Sequence, residues 1–213
     1  MEGPAGGVYE EVFLPLLGHH QARNATLALA ACEELIGRPL DAGAVEAGLA
    51  SVTSPGRMEV VAREPVVVLD GAHNPEAAGV LGRALQETFG RRERTFVISI
   101  FEDKDIEGML AALLPSATRT IFTRNSNPRA AEPQHLAEIA TRLGFESPEA
   151  PLKAPGKIPE APLKAPGQIE VRESLAEAIE AARRSAGEHG IVVVTGSLST
   201  AGEARTLLAG PVE

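Results

Sequence analysis

With 213 residues, 44% of them apolar and 23% charged, the chain has the makeup of a soluble globular protein able to bury one core plus a smaller appendage. Its formal net charge of −9 excludes the clustered cationic surface that nucleic acid or an anionic membrane requires. A single cysteine, Cys32, excludes an internal disulfide and a cysteine-built zinc site, and is expected to be a small buried hydrophobe.

Residues 1–7 are neither basic nor apolar, so no signal peptide is visible. The apolar runs fall short of the ~20 residues that cross a bilayer. A cytoplasmic monomer is expected. Residues 9–17 read as a short strand or extended lead-in. A helix follows over 20–36, rich in Ala and Leu and ended by Gly37 and Pro39. Asp41 can cap a second helix over 42–50. The run Ser51-Val52-Thr53-Ser54-Pro55-Gly56 then breaks the pattern and places a boundary, with an appendage at 1–53 and a domain at 54–213.

Beyond that boundary, strands and helices alternate. Residues 58–62 and 66–69 read as a hairpin, followed by a helix over 75–89 with Pro75 at its first position. A strand at 95–101 leads to a helix over 105–114, and a strand at 119–123 to a helix over 132–143. A short strand at 169–171 precedes a helix over 174–185. A last strand at 191–195 precedes a helix over 201–208. Fully apolar strands such as VVVL and IVVV suit a sheet covered on both faces. The alternation predicts a doubly wound, mostly parallel, Rossmann-like α/β domain. One segment stands apart: PEAPLKAPGKI at 148–158 is repeated as PEAPLKAPGQI at 159–169. Proline at that density predicts a flexible surface insertion without a core.

Ligands of an open parallel sheet collect at the carboxyl ends of its strands. Four polar turns follow strands here: Asp70-Gly71-Ala72-His73-Asn74-Pro75, Glu102-Asp103-Lys104-Asp105, Arg124-Asn125-Ser126-Asn127 and Gly196-Ser197-Leu198-Ser199-Thr200. Each alone could be ordinary helix capping; four on one edge favour a binding crevice. The last turn offers hydroxyls and N–H groups at a helix start, which suits a carboxylate. Asp70 could bond a ribose hydroxyl or a ligand amine. The chain holds no GxxxxGK[ST], no GxGxxG and no HExxH, so it carries no phosphate-cradling loop and no metal-ligand motif.

These segments resemble the folylpolyglutamate synthase/dihydrofolate synthase family of the Mur ligase superfamily. The resemblance rests on LDGAHNP at 69–75, PGRME at 55–59, LPLLGHHQARN at 14–24, Asp103-Lys104-Asp105 and Thr195-Gly196-Ser197-Leu198, in that family's order. It implies the carboxy-terminal, Mur-type domain of an ATP-dependent ligase. Such an enzyme phosphorylates a folate carboxylate, and the amine of glutamate then attacks the acyl phosphate. It further implies ATP contacts at Asn24, Arg57 and Asp70, and glutamate contacts at Asp70, His73 and Ser197, with Asp70 and His73 as catalytic groups. ATP and Mg2+ are the implied cofactors, with the Mg2+ ligands, the phosphate loop and most of the folate pocket in a first ATPase domain that residues 1–53 would only end. The chain alone is expected to be inactive. The sequence departs from the family at His19, where Arg is frequent, and in the 148–169 duplication. Two other readings fit the same residues: another Mur-type ligase, such as a peptidoglycan-precursor ligase, and a non-catalytic binding module of the same fold.

Overall fold

The computed structural model describes residues 3–145 and 168–209. Two helices come first, α1 (His19–Ile36) and α2 (Ala42–Ala50), and α2 is capped by Asp41, whose side chain accepts from Ala44 N. The expected hairpin follows as β1 (Glu59–Arg63) and β2 (Val66–Leu69), paired antiparallel. Then come α3 (Pro75–Phe89), β3 (Arg94–Ile98), α4 (Ile106–Leu113), β4 (Arg119–Phe122) and α5 (Pro133–Arg142). The chain closes with β5 (Gln168–Val171), α6 (Leu175–Ala186), β6 (Ile191–Thr195) and α7 (Leu198–Ala209).

Among the described residues the strands form one sheet in the order β1-β2-β6-β3-β4-β5, parallel throughout except at β1. The chain steps outward through β3, β4 and β5, then returns to lay β6 between β2 and β3. This is the doubly wound sheet expected from the alternation of elements. Its strands are apolar in both alternating sets because both faces are covered. Val68, Phe96, Ile98, Phe122 and Val193 point to one face and pack against α3, α4 and α5 through Leu81, Leu85, Met109, Leu113 and Leu136. Val67, Val97, Ile121, Val192 and Val194 point to the other, against Leu175, Ile179, Ala182 and Ala204 of α6 and α7. Burying a Leu or Phe side chain contributes about 1.5–3 kcal/mol, so these two layers dominate the stability of residues 54–209.

Three expectations change. The third strand stops at Ile98; Ser99 N still donates to Thr195 O of β6, but the Ser99 hydroxyl accepts from Asn125 N in the loop after β4. The last helix starts at Leu198, three residues early, because Ser197 caps it by accepting from Thr200 N. Of the two readings of residues 9–17, the extended lead-in holds, with no named strand there. Cys32 is exposed, since α1 turns its Ala- and Leu-rich surface outward. The proline-rich duplication lies outside the described residues up to Ala165, Pro166 and Gly167; its last two residues, Gln168 and Ile169, open β5.

Helix α1 is unlike the others. Its buried residues are Gln21 and Glu33, whereas Leu27, Leu35 and Ile36 are exposed, together with Val8 and Phe13. Residues 3–9 wrap over its carboxyl end, and Glu33 accepts from Ala5 N (3.0 Å) and from the Tyr9 hydroxyl. The Tyr9 bond holds the Glu33 carboxyl below the usual range, and burial pushes the Tyr9 hydroxyl up.

Candidate functional site

Strands β2, β6, β3 and β4 are adjacent and parallel, so the four polar turns do share one edge of the sheet. At the end of β2, Asp70 is buried and both of its oxygens accept backbone bonds, from Met58 N at 3.0 Å and Ala72 N at 2.9 Å. Burial raises the Asp70 carboxyl above the usual aspartate value; the two amide bonds and the nearby Arg57 and His20 pull the other way. A Cβ at Gly71 would meet Arg57 Nη1 at 3.0 Å and overlap the half-exposed Leu198 side chain, which would have to shift. His73 donates from Nδ1 to Gly71 O (3.0 Å), which leaves Nε2 outward as the other ring nitrogen. Asn74 and Pro75 then start α3, with Asn74 accepting from Ala77 N.

Helix α1 faces this turn. His20, Asn24, Arg57, Asp70 and His73 line one cavity of about 480 Å³ between α1 and the start of α3. The amide of Asn24 donates to Gln21 Oε1 at 3.2 Å, which fixes its orientation at the cavity wall. The structure therefore brings together Asn24, Arg57, Asp70 and His73, four of the five residues singled out from sequence.

The fifth, Ser197, lies one strand over and is 2% exposed. Its hydroxyl accepts from Thr200 N (3.0 Å) and lies 2.7 Å from Thr200 Oγ1. Thr200 Oγ1 donates to Ser99 O and accepts from Asn125 Nδ2 (2.8 Å), so the proton of the Ser197–Thr200 pair comes from Ser197. Leu198 and Ser199 form the exposed part of this turn, whereas Gly196 is buried with φ +114°, and a Cβ there would overlap the Ser99 carbonyl oxygen. Ser99 carries no signal of this network in the sequence, and Thr200 stands in a recognised turn without its partners being legible there. Asn125 stands in a recognised turn, but its tie to α7 is invisible without the strand order.

A second cavity, of about 170 Å³, opens between this turn and the loop after β3, lined by His73, Phe101, Lys104, Arg129, Ser197 and Ser199. Arg129 lies over the Phe101 ring at 4.7 Å and donates to both Asp103 oxygens at 2.8 and 2.7 Å. Those bonds hold the Asp103 carboxyl below its usual value. Lys104 is 3.6 Å from Asp103. Asp105 has a structural part, capping α4 by accepting from Gly108 N. Lys104 and Arg129 thus stand beside an apolar ring and the start of α7, both of them paired with the Asp103 carboxylate. Sequence reasoning does not single out Arg129, which lies far from Lys104 along the chain. Among the described residues, no three His, Cys, Asp or Glu side chains gather as metal ligands.

Comparison with known proteins adds a family to this geometry. Residues 56–198 match the family described as Mur ligase, glutamate ligase domain. The dihydrofolate synthase/folylpolyglutamate synthase of Mycobacterium tuberculosis is 41% identical over 210 residues, covering 95% of this chain and 41% of that protein. A crystal structure of the Mycobacterium tuberculosis folylpolyglutamate synthase complexed with ADP and AMPPCP superposes with a TM-score of 0.82 at 38% identity, covering 98% of this chain and 44% of that one. The bifunctional enzyme of Yersinia pestis, complexed with AMPPNP and Mn ion, gives 0.71 at 25% identity, with 93% and 41% covered. The chain thus spans about two fifths of the length of these relatives and corresponds to their carboxy-terminal part.

Proposed function

The chain belongs to the Mur ligase, glutamate ligase domain family, and on that footing we propose that it is the carboxy-terminal part of a cytoplasmic ATP-dependent ligase that joins glutamate to a folate. Residues 54–213 would be the glutamate-ligase domain and residues 1–53 the end of an ATPase domain. The start of the family match at residue 56 supports that division. So does the outward apolar surface of α1, which suits a helix belonging to a second core.

One observation carries the reading: Asn24, Arg57, Asp70 and His73 line one cavity, and His73 also lines the adjoining cationic one. The first cavity takes the nucleotide. Arg57 offsets phosphate charge, the Asn24 amide can both donate to and accept from the base, and Asp70 accepts from a ribose hydroxyl. The second takes glutamate. Lys104 and Arg129 meet its carboxylates, the amides of the Ser197 turn add donors, and Ser197 acts by holding that turn. His73 stands between the two, and its Nε2 can take a proton from the glutamate ammonium; the freed amine attacks the acyl carbon, and the amide C–N bond forms as the C–O bond to phosphate breaks and inorganic phosphate leaves. The ATP γ-phosphate and Mg2+ would be held by the ATPase domain, because no phosphate loop occurs in this sequence. A chain without that loop is expected to bind nucleotide weakly and to be inactive alone.

Nitrogen-15 NMR of the 213-residue chain tests the assignment. ADP at millimolar concentration is expected to shift the amides around Asn24, Arg57 and Asp70. L-Glutamate is expected to shift those around Lys104, Arg129 and Gly196, with His73 responding to both. Shifts from the two ligands on the same residues other than His73, or glutamate shifts far from this edge, would refute it.

A further inference from the structure

Glu59 belongs to neither proposed ligand cavity, yet it is tied into the turn that carries Arg57. That turn has an improbable backbone. Gly56 has φ +68° and Met58 φ +49°, so Arg57 sits between two left-handed residues, one of them not glycine. Such a conformation persists only where its surroundings over-determine it. Three bonds do so. Met58 N donates to Asp70 Oδ2, Gly71 N donates to Gly56 O at 2.7 Å, and Gly56 N donates to Glu59 Oε2 at 2.9 Å. The first two come from the turn after β2. The third comes from a carboxylate whose other oxygen accepts from Arg205 Nε at 3.0 Å. The Glu59 and Arg205 side chains are 21% and 22% exposed, so water competes weakly for either bond. Arg205 belongs to α7, the helix that begins at the Ser197 turn.

We infer that Glu59, held by Arg205, is a positioning residue that aims Arg57 at the nucleotide and couples its turn to the helix of the glutamate side. Deleting the Glu59 carboxylate frees Gly56 N, loosens the left-handed pair and lets Arg57 swing between the first cavity and a larger one, of about 670 Å³, that it also lines behind the turn. Losing Arg205 acts through the same carboxylate. The inference rests on the reading of Arg57 as a nucleotide contact.

Side-chain NMR of the full 213-residue chain tests it, with ADP as the probe and E59A, R205M, E59A/R205M and R57A as variants. Unchanged exchange protection in β2 and β6 shows that each variant is folded. E59A is expected to abolish the ADP-induced shift of the Arg57 Nε–H resonance and to weaken ADP binding about tenfold, close to R57A. R205M is expected to fall between wild type and E59A, and the double variant to be no worse than E59A. A folded E59A that binds ADP as wild type, with Arg57 still responding, overturns the inference. Additive losses in the double variant overturn the coupling to Arg205. If ADP moves no resonance even in wild type, the nucleotide reading fails, and positioning is decided without ligand. The Arg57 Nε–H order parameter should then drop in E59A to that of the exposed Arg23, and an unchanged value refutes positioning.

Discussion

Two aspartates on this edge are set against each other by their surroundings. Asp70 is enclosed, and burial raises its carboxyl despite two amide bonds. Asp103 is half exposed, and the paired bonds from Arg129 lower its carboxyl. The signs of their linkage to stability are opposite. Asp70, raised in the folded state, favours folding below the unfolded-state value, and that contribution is lost as pH rises through the folded value. Asp103, lowered, favours folding above the unfolded-state value and loses that contribution as pH falls through its folded value. A carbon-detected NMR titration is expected to find Asp103 titrating below the ordinary aspartate value and Asp70 above it; the reverse order would refute both environments. Much at this scale was legible in the sequence, because Arg57, Asp70 and His73 occur within short motifs beside a strand end. Arg129, Asn125 and Thr200 were not, since their partners lie 26, 75 and 101 residues away along the chain.

At the scale of elements, the sheet and α1 follow different rules. Helices α3 to α7 lie on the sheet and bury apolar stripes, so their positions follow from hydrophobic periodicity and capping residues, as Asn74, Asp105 and Ser174 illustrate. The start of α7 escaped the same reasoning because the Ser197–Thr200 cap is completed by Asn125 from another loop. Helix α1 has composition suited to a core but no core to face among the described residues: Leu35 is 88% exposed, whereas Leu85 of α3 is fully buried. Leu85→Ala is therefore expected to destabilise the 213-residue chain by about 2–5 kcal/mol. Leu35→Ala is expected to change stability by less than about 0.5 kcal/mol. Urea unfolding of the two variants checks this, and a comparable loss from both would show that α1 is packed into the core.

At the scale of the whole molecule, the edge of the sheet presents a cavity against α1, which the proposed function assigns to nucleotide, and a smaller one against the loop after β3, with His73 lining both. No helix among the described residues is long and apolar enough to cross a membrane. The doubly wound architecture was legible from strand–helix alternation alone. The return of β6 between β2 and β3 was not, although it is what sets the Ser197 turn beside Asp70. In the proposed division of labour, holding the γ-phosphate and Mg2+ falls outside this chain. The most direct measurement is glutamate-dependent ADP release by a chimera in which this chain replaces the matching carboxy-terminal part of the Mycobacterium tuberculosis relative, with R57A and H73A versions alongside. The proposed function predicts folate- and glutamate-dependent release by the chimera, reduced at least about a hundredfold in H73A. A folded chimera that binds ADP but releases none in response to glutamate and folate would contradict it.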